Sequence, residues 1–82
     1  MPYITQDRRT ELDAGRAEAA TAGELNYQIT QLVRKYMKQA PKVNYGLLNE
    51  IVGALECAKL ELYRRVVSPY EDQKIGENGD VY

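Results

Sequence analysis

A broad stripe of apolar side chains between Asn44 and Val67 constrains the fold of this chain more than any other feature. Its positions recur every three or four residues, as they do along one face of an α-helix. Its main members are Leu48, Ile51, Val52, Leu55, Ala58, Leu62 and Val66, and Leu47, Ala54, Cys57 and Val67 widen it. The pattern predicts a helix over residues 45–67 that is capped by Asn44 and ends before Pro69.

A shorter helix is predicted over residues 22–39. Thr21 can cap it, and Glu24, three residues later, can reach back to close a capping box. Apolar residues follow at helical spacing, at Leu25, Ile29, Leu32, Val33 and Tyr36. Pro41 ends the pattern because the residue before a proline is pushed out of the helical conformation. The two helices together predict an all-α fold with an antiparallel helical hairpin.

The N-terminal residues carry weaker patterns. Residues 3–12 predict a short helix capped by Thr5, with Ile4 and Leu12 as its main apolar residues, and residues 13–20 predict a loop or linker. We therefore expect one domain over residues 1–82. It would consist of an N-terminal element and linker at 1–20, the hairpin at 21–67 and a C-terminal arm at 68–82.

The width of the apolar stripe predicts self-association. A chain of 82 residues buries only about 60% of its unfolded surface and needs support from disulfides, metals or partners. Cys57 is the only cysteine and there is no histidine, so neither a disulfide nor a Cys/His zinc site is available. We expect a homo-oligomer formed through the long second helix. The predicted interface consists of Leu48, Ile51, Val52, Leu55, Leu62 and Val66.

The last fifteen residues, SPYEDQKIGENGDVY, differ in character from the helices before them. They hold four carboxylates and one lysine, a net charge of −3, whereas residues 1–67 hold ten Lys or Arg and eight Asp or Glu. Glu77 to Asp80 lack the spacing of a calcium loop, and Asn78-Gly79 is typical of a turn. We expect an extended arm that leaves the helix at Pro69 and packs across a subunit junction.

The residue types argue against catalysis. Without histidine, general acid–base chemistry falls to carboxylates, Lys, Tyr or Cys57. We expect Cys57 to be a buried thiol that serves packing, because it lies beside the apolar stripe and no base is near it in sequence. Glu56 and Lys59 are expected to form a surface ion pair. The chain is therefore predicted to be a non-enzymatic protein without a catalytic residue, a metal or a cofactor.

Two basic clusters suggest a site for a small anion. The first holds Arg34, Lys35, Lys38 and Lys42, and the second holds Arg64 and Arg65. All seven aromatic residues are tyrosines, which suit partly hydrated pocket walls, and a tyrosine beside a cation can stack a base next to a phosphate. The candidate ligand-binding residues are Arg34, Tyr36, Lys38, Tyr63, Arg64, Arg65 and Tyr70. The alternative is that these charges form solvated helix faces.

Several segments carry a resemblance to known sequences. PYIT, GELNYQIT, NEIVGALECAKLELYRRVVSPYED and ENGDVY together resemble a family of small proteins encoded by bacteriophages and prophages. The resemblance covers most of the chain and is loosest at residues 13–20 and 38–43. It implies an accessory protein that acts inside an infected or lysogenic cell, and it carries over no functional residue. Cytosolic location also agrees with the polar start of the chain and its single cysteine.

Two functions are consistent with these observations. The first is a non-enzymatic protein that sequesters a nucleotide-like anion and so blunts a host defence system. By its size and helical class alone, the chain looks like the small helical phage proteins that assemble into rings and sequester nucleotide signals. The second is a protein–protein interaction module that inhibits a host enzyme or serves as a structural or assembly accessory of the phage. A membrane partner is not expected, and neither is double-stranded nucleic acid, because the C-terminal arm is acidic.

Overall fold

The computed structural model describes residues 3–82, so residues 1 and 2 of the predicted N-terminal element lie outside the described part. The described residues form helices and no strand, which confirms the all-α prediction. The helices are α1 (Gln6–Asp13), α2 (Ala22–Lys38), α3 (Tyr45–Leu62) and α4 (Ser68–Asn78), and a π-helical turn (Tyr63–Val67), here called the π-turn, joins α3 to α4. They belong to two compact units, Met1–Val43 and Asn44–Tyr82.

Helix α1 has a defined signal at each end. Thr5 caps it as predicted, and its side chain accepts a hydrogen bond from the Arg8 amide. After the helix, the Arg16 amide donates to the Glu11 carbonyl and the Gly15 amide donates to the Leu12 carbonyl. These two bonds form a Schellman motif, which requires a left-handed residue. Gly15 supplies it with φ 72°.

A polar network joins α1 to α2 in the first unit. The Arg8 guanidinium donates to both carboxylate oxygens of Glu24, at 2.8 and 2.7 Å, and the Ala20 amide donates to Glu24 at 2.8 Å. The Tyr27 hydroxyl donates to Asp13 at 2.8 Å. Leu12 and Tyr27 are each 6% exposed. The first unit therefore combines two buried apolar side chains with two partly buried polar links between α1 and α2.

The capping-box prediction at Thr21 was half right. The Thr21 hydroxyl accepts a hydrogen bond from the Glu24 amide, as expected of an N-cap. The Glu24 carboxylate, however, binds Arg8 and the Ala20 amide. Arg8 attracts it more strongly than a neutral amide can, because a charged, two-pronged hydrogen bond is the stronger one.

In the second unit the helix does not end at Pro69. Asn44 caps α3 as predicted, since its side chain accepts from the Leu47 amide at 2.9 Å. The backbone then stays helical from Tyr45 to Asn78. The predicted start at residue 45 is confirmed, whereas the predicted extended arm from residue 68 is wrong.

The π-turn explains how the helix passes Pro69. A proline inside an α-helix removes one hydrogen bond, and its ring clashes with the carbonyl four residues earlier. Here that carbonyl belongs to Arg65, inside the π-turn. The Ser68 amide donates to the Tyr63 carbonyl, five residues back, which widens the turn. The wider turn accommodates the proline ring, and α4 continues as a helix.

Helix α4 ends where the sequence predicts a turn. Gly79 adopts φ 88°, and its amide donates to the Ile75 carbonyl at 2.8 Å. The Tyr82 amide donates to the Asp80 side chain at 2.9 Å. The non-helical C-terminal segment therefore comprises only the residues after Asn78.

Most of the predicted interface is exposed in the single chain. Ile51 is 8% exposed, whereas Leu48, Val52, Leu55, Leu62 and Val66 range from 43% to 66%. Cys57 is also exposed, so the predicted buried thiol is wrong. It lies nine residues from Leu48, two and a half helical turns, and so projects from the opposite side of α3.

In the part of the chain that the structure describes, no helix has both the length and the apolar character that crossing a membrane requires.

Candidate functional site

A basic groove forms where α2 ends. Arg34 and Lys38 lie one turn apart on the helix and so project from the same side. The chain then turns, with the Ala40 amide donating to the Met37 carbonyl at 3.1 Å, and Pro41 directs Lys42 and Val43 alongside the helix end. The resulting open groove has a volume of about 350 Å³. Its lining residues are Arg34, Met37, Lys38, Ala40, Pro41, Lys42 and Val43.

The groove combines positive charge with apolar surface. Arg34, Lys38 and Lys42 are cationic, and none of the other lining residues carries a charge. Met37, Pro41 and Val43 supply apolar surface. The Arg34 guanidinium donates to the Gln31 side chain at 3.4 Å, which leaves most of its donors available. The arrangement can hold a small anion that also has an apolar face. Cations at a helix C-terminus also interact favourably with the helix dipole, which explains their position without a ligand.

The structure brings together only some of the predicted ligand-binding residues. Arg34 and Lys38 share the groove. Tyr36 does not line it, because it lies two residues from each of them and projects from another side of α2. Sequence reasoning noted Lys42 as part of the charge cluster but left it out of the site. Its place beside Lys38 depends on the turn at Pro41, which charge spacing does not reveal.

Arg64 and Arg65 form a different cluster, on the π-turn. Both guanidinium groups donate to the Glu61 carboxylate, each at 2.6 Å. The hydrogen bond from Arg65, followed by that from Arg64, lowers the pKa of Glu61. Tyr63 lies at the start of the same turn and is half exposed. Sequence reasoning missed the pairing with Glu61, although spacings of three and four residues are its usual signal.

Tyr70, in the first turn of α4, lines a second open depression that extends along the helix to the C-terminal residues. The depression has a volume of about 320 Å³ and is lined by Tyr70, Glu71, Lys74, Ile75 and residues 78–82. The Lys74 ammonium lies 5.6 Å from the centroid of the Tyr70 ring, within the range of a cation–π interaction. Glu71 and Asp80 add negative charge. This depression is therefore less suited to an anion than the groove at α2.

Among residues 3–82, no group of three carboxylate or thiol side chains is placed to hold a metal ion.

Comparison with known proteins places the chain in a family. A search of curated proteins found no match, and a search of solved structures found none either. A family model matches residues 1–81, which is almost the whole chain. The chain therefore belongs to the family described as a domain of unknown function, DUF6899.

Proposed function

We propose that this protein is a non-enzymatic accessory protein of a phage that binds and sequesters a small, nucleotide-like anion. In this proposal it acts in the host cytosol and blunts a host defence system. The observation that carries the proposal is the groove at the end of α2, where three cations and no carboxylate surround apolar surface. The phage and host setting comes from the sequence resemblance.

The groove suits the parts of a nucleotide. The planar guanidinium of Arg34 can donate two parallel hydrogen bonds to a phosphate, and Lys38 and Lys42 can neutralise its remaining charge. Met37, Pro41 and Val43 give an apolar surface for a base or sugar. Sequestration requires only binding, so no reacting group is needed. Tyr36, Tyr63, Arg64, Arg65 and Tyr70 stay predictions, as contributors from subunit junctions.

Calorimetry with matched variants tests the proposal. The ligands are a panel of cyclic and linear nucleotides, with inorganic pyrophosphate as the simplest probe. We expect Arg34→Gln and Lys38→Gln each to weaken binding about tenfold or more, because a hydrogen bond to a charged group contributes roughly 1.5–3 kcal/mol.

Lys35→Gln is the control, since Lys35 lies in the same helix but does not line the groove. It should leave the affinity within about twofold, because it removes only a nearby, screened charge. The proposal fails if the folded protein gives no heat with any ligand of the panel. It also fails if the control weakens binding as much as Lys38→Gln.

A second candidate function is a protein–protein interaction module, which would inhibit a host enzyme or act as a structural accessory of the phage. Its support is the exposed apolar side of α3, together with the acidic C-terminal residues. Pull-down from host lysate with wild-type protein and with Val52→Asp tests it. A partner that the variant no longer retains would support this candidate, and equal retention by both would contradict it.

Independently of the anion site, we also propose that the helices at 22–39 and 45–67 pair as a hairpin and that the chain oligomerises through the longer of them. In this proposal the C-terminal segment packs across a subunit junction, so deletion of residues 69–82 should weaken the oligomer. Native-size particles after truncation, measured by light scattering, would contradict this role for the C-terminal segment.

A further inference from the structure

One side of α3 presents a regular row of exposed apolar side chains. We call the residues Leu48, Val52, Leu55, Leu62 and Val66 the exposed stripe. Each is between 43% and 66% exposed. Leu48 and Val52 are four residues apart, and Val52 and Leu55 are three apart. Leu62 follows seven residues after Leu55. This is the alternation with which one helix packs against another in a coiled coil.

The exposed stripe runs beside a buried residue of the same helix. Ile51 is 8% exposed and lies next to Leu55 around the helix, at the edge of the stripe. Large aliphatic residues that line up on one exposed face are uncommon in proteins that act alone, and such faces mark contacts with partners. The same spacing would place a further stripe residue at position 59, between Leu55 and Leu62. That position holds Lys59.

Lys59 and Glu56 decide which partner and which orientation fit the stripe. Their charged groups are 3.1 Å apart, and both side chains are more than half exposed. A parallel copy in register would place Lys59 against the partner's Lys59, which is repulsive. In an antiparallel pair centred near residue 57, the two Glu56 and the two Lys59 side chains would instead alternate around the two-fold axis. Each lysine would then lie between two carboxylates, which is attractive.

The same antiparallel register also matches the apolar residues. It places Val52 opposite the partner's Leu62 and Leu48 opposite the partner's Val66. Leu55 then meets the apolar stem of the partner's Lys59, whose ammonium can reach solvent at the edge. A single lysine in an apolar seam is a known means of fixing register at some cost in stability. In this register the charged residues and the apolar residues of the stripe are both self-complementary.

We propose that the exposed stripe binds a second copy of this chain in an antiparallel helix pair centred near residue 57. The pairing does not depend on the anion-binding proposal, because none of the stripe residues lines the groove at α2. Failure of one proposal leaves the other standing.

Cysteine cross-linking tests the register. In a Cys57→Ser background, Val52→Cys and Leu62→Cys are prepared separately and oxidised under mild conditions, alone and as a mixture. In the proposed pair, two copies of position 52 are about 15 Å apart along the axis, too far for a disulfide. We expect a covalent dimer in the mixture and none from Val52→Cys alone. A covalent dimer from Val52→Cys alone, or none in the mixture, overturns the proposal.

A charge exchange tests the orientation without disulfides and covers the case in which a cysteine variant does not fold. Lys59→Glu should raise the dimer dissociation constant about tenfold or more, because it places four carboxylates around the axis. The double variant Glu56→Lys/Lys59→Glu should restore it to within about threefold of wild type. Sedimentation measures the constant, and circular dichroism checks the helix content. An unchanged constant for Lys59→Glu, or no recovery in the double variant, contradicts the antiparallel pair.

Discussion

Glu24 shows how one side chain can hold two helices together. It is nearly buried, yet its carboxylate remains charged because Arg8 and the Ala20 amide both donate to it. The Arg8 hydrogen bond is the main reason that the pKa of Glu24 falls from its ordinary 4.5 to about 2. Arg8 pairs with Glu11 as well. The start of α2 therefore depends on a residue from α1, sixteen positions earlier in the chain.

The lowered pKa predicts acid sensitivity of the first unit. A carboxyl group whose pKa is lower in the folded state contributes stability above its unfolded pKa and loses it on protonation. The contribution of Glu24 should be complete above about pH 4.5 and should disappear as the pH falls to about 2. Thermal unfolding followed by circular dichroism between pH 7 and pH 2 measures this.

Glu24→Gln isolates that contribution from the other carboxylates. The variant should unfold at a lower temperature than wild type at pH 7, and the difference should shrink towards pH 2. Glu18→Gln is the control, because Glu18 is exposed, and it should follow the wild-type curve. A wild-type and Glu24→Gln difference that does not change with pH would contradict the role assigned to the ion pair.

At the scale of elements, helix starts were predictable and one helix end was not. Thr5, Thr21 and Asn44 each cap a helix as local sequence signals indicate. Pro69 is the exception, since its neighbours form a π-turn instead of stopping the helix. The rule about proline assumes regular α-helical geometry, and only the backbone reveals that the turn has widened.

The candidate site was predictable to a similar degree. Arg34 and Lys38 share a face because of their spacing, so the sequence indicates that they act together. The link between Arg8 and Glu24 spans sixteen residues, and no local pattern contains it. Lys42 and Val43 join the groove only through the turn at Pro41. What the sequence missed are contacts created by chain reversal.

Pro69→Ala tests the account of the π-turn. The substitution restores an amide and removes the ring, so the turn can relax to α-helical geometry. We expect the free energy of unfolding to rise by about 1 kcal/mol. A proline inside a regular α-helix costs ~3 kcal/mol, and the gain is smaller here because the wide turn already relieves part of the clash. Amide hydrogen exchange at residues 66–70 should slow.

Ser68→Ala serves as the control, since it keeps Pro69 and the residue-68 amide that donates to Tyr63, and it should leave amide exchange at residues 66–70 unchanged. A loss of helicity in Pro69→Ala would show that the proline stabilises the junction, contrary to this account.

At the scale of the whole molecule, self-association should give different roles to two leucines that are similarly exposed in the single chain. Leu55 and Leu60 are 43% and 56% exposed, and only Leu55 belongs to the exposed stripe. Leu55→Asp should weaken association about tenfold or more, because it removes an apolar side chain from the seam and the partner's Lys59 offsets only part of the cost of a buried carboxylate. Leu60→Asp should keep the native mass. Light scattering at several concentrations measures both.

If Leu55→Asp keeps the wild-type mass while folded, the side of α3 assigned to self-association is wrong.

Self-association also makes the unfolding temperature depend on protein concentration. Whatever binds only the folded state stabilises it by mass action, so the unfolding temperature of a dimer rises with protein concentration. Wild type should show this dependence, and Leu55→Asp should lose it.

Cys57 is a natural labelling site for measuring self-association through α3. As the only thiol of the chain, and an exposed one, it accepts a single fluorophore without any engineering. It projects away from the exposed stripe, so the dye does not obstruct the partner. Donor-labelled and acceptor-labelled protein, once mixed, would exchange subunits and bring two dyes to the same level of the helix pair. Resonance energy transfer would then follow exchange in real time, and dilution would abolish the signal.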